Sequence, residues 1–246
     1  MTRDRHLRVK TLRVAKTLEK LLGIPRQTSS LPPPLDMLIA TILSQNTNDK
    51  NSHRAYTTLR AKFPRWDDVA NASMRSVIAA IRSGGMANQK AARIKETLRA
   101  VNNRYGTHTL SALKRKPNDA VLEELTSLNG VGFKTASCVL LFSMGRDVFP
   151  VDTHVHRICN RLGLANGSTP EKTFEQMKTL VPKGRGYSFH TNLIRFGRMM
   201  CKSSNPSCGE CPLFDECLYE GKKERQGRTR IRSTADHSFM LLDNVR

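Results

Sequence analysis

An all-α fold is what this sequence predicts, on three observations. Apolar residues recur at helical spacing through most of the chain. No segment sustains the apolar–polar alternation that a half-buried strand needs. Proline and glycine gather in short turns between the periodic segments, as at Pro32-Pro33-Pro34, Gly84-Gly85 and Gly130-Val131-Gly132.

The elements follow in chain order. Leu7, Leu12, Val14, Leu18 and Leu21 give a first helix its apolar side, and Arg3, Arg5, Arg8, Lys10, Arg13, Lys16 and Lys20 give it a wet basic face. Leu31-Pro32-Pro33-Pro34 is expected to stop that helix. Leu35–Gln45 is apolar on almost every side and reads as a buried helix. Asp49 is the expected cap of the next, with Ala55, Tyr56, Leu59 and Phe63 on one stripe. Ser73 caps another, turning Val77, Ile78 and Ile81 inward. After Gly84-Gly85 a longer helix carries Ala91, Ile94, Leu98 and Val101 at helical spacing. Pro117 precedes an amphipathic helix over Asp119–Leu128, and Pro150-Val151-Asp152 opens one with Val155, Ile158, Cys159 and Leu162 inward. A cysteine-rich segment spans Cys201–Cys217. The basic tail from Gly221 onward reads either as a DNA-tracking arm or as disordered chain, and its apolar end, Phe239–Leu242, suits docking back on the body.

Composition narrows the function. The 246 residues are 38% hydrophobic, enough for a core and against global disorder. Lys and Arg number 41 against 21 Asp and Glu, a net charge of +20. That excess favours a polyanionic partner through counterion release, ahead of a membrane surface. No apolar run reaches the length of a membrane span, and the basic first residues lack the apolar core of a secretory signal. Asp4 and Glu19 are present there and serine is absent, unlike a transit peptide. No targeting segment is seen, so the expected compartment is a reducing one: the cytoplasm in a prokaryote, the nucleus in a eukaryote.

Three constellations carry chemistry. In Asn129-Gly130-Val131-Gly132 the glycines permit positive φ and close backbone approach, and the helix that follows points free N–H groups outward. A helix–hairpin–helix of this kind grips DNA backbone without reading sequence, while a plain helix connection uses the same residues. Lys134 falls in the first turn of the second helix, where the positive end of the dipole disfavours a protonated amine and frees a nucleophile. A phosphate contact or a solvated lysine is the competing reading. Asp152 opens a helix as an N-cap, and a capping carboxylate still has an oxygen to offer a sugar oxocarbenium ion. Cys201, Cys208, Cys211 and Cys217, spaced Cys-x6-Cys-x2-Cys-x5-Cys, suggest one metal centre. Zinc and a four-iron cluster both accept four thiolates, and the single Cys-x2-Cys knuckle leans toward the cluster. Cys138 and Cys159 lie on apolar faces as inert core residues.

Together these stretches resemble the endonuclease III family of DNA glycosylases: LSQNTND (Leu43–Asp49), GGMANQKAARI (Gly84–Ile94), LNGVGFKTA (Leu128–Ala136), VDTHVHRICNRLGL (Val151–Leu164) and the cysteine segment. The likeness runs from about Leu21 to Tyr219. It implies two all-α lobes with DNA in a cleft between them. One is a helical barrel, placed at residues 27–146 with its hairpin near 129–132. The other, residues 1–26 with 147–220, holds the cluster, and 221–246 form the basic tail. The resemblance makes Lys134 the nucleophile and Asp152 its assistant, and gives the four cysteines a 4Fe–4S cluster. Gln45 would fill the space of an everted nucleotide and Met86 would wedge between bases. Gly130, Gly132, Thr135 and Lys202 would contact DNA. The implied enzyme is a monomer acting on double-stranded DNA that holds a damaged base or an abasic site. It would remove oxidised pyrimidines and cut the strand by β-elimination through a Schiff base. A mismatch-directed glycosylase of the same superfamily, a non-enzymatic DNA-binding protein and an electron-transfer protein are the alternatives. Asn129 departs from the proline common in the family, which touches loop stiffness more than chemistry.

Overall fold

The computed structural model describes residues 3–27 and 29–225, and every regular element among them is helical. In chain order these are α1 (Arg3–Leu22), α2 (Pro34–Ser44), α3 (Asp49–Lys62), α4 (Trp66–Asn71), α5 (Met74–Ile81), α6 (Ala87–Tyr105), α7 (Asn118–Thr126), α8 (Phe133–Met144), α9 (Thr153–Arg161), α10 (Pro170–Met177) and α11 (Gly186–Met199). Short 3-10 turns occupy Arg82–Gly84, Ser111–Arg115, Cys208–Glu210 and Glu220–Arg225. None of the described helices is long and apolar enough to cross a membrane. The apolar segment Phe239–Leu242 lies outside the described residues.

The chain divides into two compact units. Among the described residues one is continuous, over residues 29–146, and the other joins residues 3–27 to residues 147–225.

In the continuous unit α2 is the central rod. It packs on α8, α3 and α6, and every residue from Pro34 to Leu43 is buried. A helix enclosed on all sides must be apolar on all sides, which is the pattern in its sequence. Its one charge, Asp36, accepts from the Trp66 indole N–H at 2.9 Å and the Tyr56 hydroxyl at 3.1 Å, so the carboxylate is not left bare. On α6, Ala91, Ile94, Leu98 and Val101 are all buried, as their spacing requires.

Two boundaries differ from expectation. The prolines do not stop α1. That helix ends at Leu22, where Gly23 turns left-handed at φ 77° and its N–H reaches the Glu19 carbonyl at 2.9 Å. Pro34 instead opens α2, at a position whose N–H would have no partner in any case. The cap of α3 is Asn48, whose Oδ1 accepts the Asn51 N–H at 2.8 Å, and Asp49 becomes the first helical residue. Ser73 caps α5 as its sequence suggests, accepting from the Ser76 N–H.

In the discontinuous unit α11 packs on α1 and α9, and α10 packs on α9. Val14, Ala15 and Leu18 are the buried side of α1, while Leu21 stands 43% exposed. Lys10 is not part of the wet face. It is 8% exposed, and burial pushes its ammonium down while Glu216 and then Cys217 pull it back. Arg13 pairs with Glu216 at 2.8 Å, and Arg185 on the approach to α11 pairs with Glu19. These contacts fasten α1 to the far end of the chain.

Candidate functional site

The hairpin between α7 and α8 is built from backbone. The Val131 N–H bonds the Leu128 carbonyl at 3.1 Å and closes the turn. Gly130 has φ 74°, and a side chain there would overlap Arg93, whose Nε would lie 2.1 Å from its Cβ. Gly132 differs. Its φ is −86°, and nothing lies within 4 Å of where its Cβ would be. The fold therefore explains the first glycine and gives no internal reason for the second. Asn129 donates to both carboxylate oxygens of Glu96 at 3.1 Å, which anchors the hairpin where a proline would have stiffened it.

Gly132 caps α8 without a side chain, so the capping residue offers no side-chain oxygen to that first turn. Lys134 sits in this turn. Its side chain is half-buried, and its ammonium has no hydrogen bond or ion pair among the described residues. Thr135 is 3% exposed, and its hydroxyl lies 3.5 Å from the Gln45 amide nitrogen, so it supports Gln45 from beneath.

Gln45 closes α2 as its C-cap. Its Oε1 accepts from Arg93 Nη1 at 2.7 Å and its Nε2 donates to Thr135. Asn46, next in sequence, and Met86, the N-cap of α6, are both left-handed without being glycine, at φ 51° and 48°. Asn46 donates to the Met86 sulfur at 3.8 Å. Met86 is 47% exposed, so it is not a core residue. Unusual backbone and an exposed apolar side chain coincide here, which is where functional strain is found.

Three residues of α6 behind these loops were not singled out from the sequence. Lys90 is 3% exposed and donates to the Leu43 carbonyl at 2.8 Å and the Gly84 carbonyl at 2.7 Å. Burial pushes its ammonium down to about 8. Arg93 and Glu96 follow at intervals of three. Lys90 had a readable signal, since it falls on the apolar stripe of Ile94 and Leu98. Arg93 had none, because its partners are distant in sequence.

In the other unit, Asp152 caps α9. Its Oδ1 accepts the Val155 N–H at 2.8 Å, and its other oxygen has no partner among the described residues. One carboxylate thus serves the helix and keeps an oxygen available. Cys159 is fully buried, which pushes its thiol well above the ordinary range and leaves it inert.

The four cysteines of the C-terminal segment are all free of disulfides. The Cys211, Phe214 and Cys217 N–H groups bond carbonyls three residues back, so the segment is a run of tight turns. Arg161 Nη1 lies 3.5 Å from the Cys201 sulfur, and the Tyr219 N–H lies 3.4 Å from that of Cys217. The Cys217 thiol in turn donates to the Arg161 carbonyl at 3.4 Å. Burial first, and then the charges of Cys201, Cys217 and Cys208, push the Cys211 thiol up to about 12, while the Leu213 N–H pulls the other way. Four cysteines within one short run of turns are the sulfur ligand set of an iron–sulfur cluster. Among the described residues no group of three or more His, Cys, Asp or Glu is placed to hold a metal ion. Arg161 also donates to the Lys202 carbonyl at 2.7 Å and the Ser203 carbonyl at 3.0 Å, which holds the loop that exposes Lys202.

The comparisons agree with this picture. The family model described as HhH-GPD superfamily base excision DNA repair protein matches residues 39–183, and the iron–sulfur binding domain of endonuclease III matches residues 201–217. Endonuclease III of Thermotoga maritima is 39% identical over 80% of this chain and 89% of its own. That of Bacillus subtilis is 33% identical over 79% and 85%. A solved non-covalent endonuclease III–DNA complex superposes with a TM-score of 0.74, at 27% identity, over 92% of this chain and 99% of that one.

Proposed function

Because the chain belongs to the HhH-GPD superfamily of base excision DNA repair proteins, we propose that it is a bifunctional enzyme that removes oxidised pyrimidines from duplex DNA and cuts the strand at the abasic site. Its standing as a DNA glycosylase with an iron–sulfur domain follows from its relatives. The lyase step, the lesion, the roles of particular residues and action as a monomer are our reading.

The observation that carries it is Lys134. It lies in a helix turn whose N-cap is a glycine with open space that suits a phosphate backbone, and its ammonium has no partner among the described residues. Helix N-termini and a net charge of +20 draw DNA to that turn. Once the nucleotide is everted, the Lys134 amine attacks the sugar C1′ and the glycosidic electrons leave with the base, which takes up a proton. Asp152 supports positive charge on the sugar. Opening of the sugar ring gives a Schiff base between C1′ and Lys134 Nζ. Loss of a C2′ proton then expels the 3′ phosphate, and water releases the lysine. Cys201, Cys208, Cys211 and Cys217 would hold the 4Fe–4S cluster. With it bound, those cysteines together with Arg161 would hold the loop carrying Lys202 as one rigid turn offered to a DNA backbone.

Borohydride trapping on duplexes carrying thymine glycol, uracil, mismatched adenine or a preformed abasic site tests the whole reading. Wild-type protein should form a covalent adduct with thymine glycol and abasic duplexes, and Lys134→Gln should not while still binding DNA. Normal adduct yield from Lys134→Gln would overturn the nucleophile, and an adduct confined to mismatches would overturn the lesion.

A further inference from the structure

Gln45 is held at both ends of its amide. Arg93 donates to its oxygen at 2.7 Å, and its nitrogen points at Thr135, the residue next to Lys134. An amide fixed in this way cannot rotate end over end, and its side chain does not pay for ordering when something docks against it. The arginine that holds it is itself fixed. It passes over Gly130, where only the absence of a Cβ leaves it room.

Its neighbours on α6 act on the adjoining loops. Lys90 bonds the last turn of α2 through Leu43 and the turn before Met86 through Gly84. Glu96 accepts from Asn129 of the hairpin. Residues three apart on a helix are surface neighbours, so Lys90, Arg93 and Glu96 make one continuous polar stripe. That stripe reaches three loops: the one starting at Gln45, the one carrying Met86 and the hairpin. The first two are left-handed at Asn46 and Met86; asparagine enters that region readily, but for methionine it is a strained conformation that surrounding contacts must hold.

We infer that Arg93 is the positioning residue that sets Gln45 for the gap left by an everted nucleotide, with Lys90 and Glu96 fixing the loops on either side. This rests on the base-eversion reading given above. Arg93 touches neither sugar nor base. It acts through Gln45, and its effect belongs to the step in which a base leaves the stack. A substrate whose base is already gone asks less of Gln45.

The test compares Arg93→Met and Arg93→Lys with wild type on two duplexes, one with thymine glycol and one with a preformed abasic site, in single turnover at saturating enzyme. A 2-aminopurine beside the lesion reports unstacking by its fluorescence. Arg93→Met should slow base removal by roughly tenfold or more, as loss of a charge-assisted hydrogen bond implies, and slow abasic-strand cleavage by less than about threefold. The fluorescence rise on binding should fall with it, and Arg93→Lys, which keeps a donor, should lie between. Equal losses on the two duplexes, or an undiminished fluorescence rise in Arg93→Met, would overturn the inference and leave the enzyme reading intact. A wild-type protein that gives no borohydride adduct on the abasic duplex would overturn the reading beneath both.

Discussion

Gly130→Ala should lower the thermal midpoint by several degrees, and Gly132→Ala should not. At position 130 the backbone is left-handed, which costs an alanine about 1–2 kcal/mol. The new methyl would also displace Arg93, which ends its hydrogen bond to Gln45 and costs about 1.5–3 kcal/mol for a bond from a charged donor. Alanine recovers about 0.4–1 kcal/mol by narrowing the unfolded chain. The net is roughly 2–4 kcal/mol, or about 4–16 °C at about 2–4 °C per kcal/mol for a chain of this size. At position 132 the φ of −86° suits any residue and the space is open. Alanine is the poorer helix cap by about 0.5–1 kcal/mol, and the same unfolded-chain gain offsets it. Calorimetry should therefore find Gly132→Ala within about 2 °C of wild type. Its binding to an abasic-analogue duplex, measured by anisotropy, should still weaken roughly tenfold or more as a phosphate is held off the backbone N–H groups. Equal melting of the two variants would refute the structural argument. Full DNA affinity in Gly132→Ala would refute the assignment of that glycine to DNA.

Lys202→Ala should weaken binding to damaged and undamaged duplexes alike and shallow the log–log salt dependence by about one unit, at unchanged iron content. An unchanged slope would make Lys202 a solvated side chain on a structural loop. Glu124 carries an acid-range test: burial raises its carboxyl, but Lys116 and Tyr105 hold it below its ordinary value of 4.5. The stability it contributes is present above the unfolded value and is lost as pH falls through the lower folded one. The midpoint difference between wild type and Glu124→Gln should thus shrink as pH drops below 4.5, and a widening gap would refute it.

What could be read from the sequence was whatever is decided locally. The burial of α2 was legible because an enclosed helix has no polar face to hide. The caps Ser73 and Asp152 were legible because a short polar side chain precedes an apolar stripe. The end of α1 was misread because three prolines are a louder signal than one glycine, yet Gly23 does the work and the prolines begin the next helix. The spacing of the cysteines was legible, while the choice between zinc and a cluster was not, since it depends on how far apart the folded loop holds the sulfurs. Thr135 stood inside a recognisable motif, but which of the motif's side chains points inward is set by packing on α2. Arg93 meets Gln45 and Gly130 only after the chain has folded, so nothing near it in sequence marks its task.

The pairing of Arg13 with Glu216 has a consequence for how this chain is made. The two residues lie 203 positions apart, and synthesis at about 5–20 residues per second separates their emergence by roughly 10 to 40 seconds. For most of that interval, until Gly186–Met199 has been made, Val14, Ala15 and Leu18, all buried in the finished protein, have no α11 to cover them. Among the described residues the other unit ends at Arg146, so its chain has emerged before α11 is made. The ribosome therefore delivers this protein middle first, with its opening helix left sticky and waiting. It also sets closure of the discontinuous unit after the synthesis of α11.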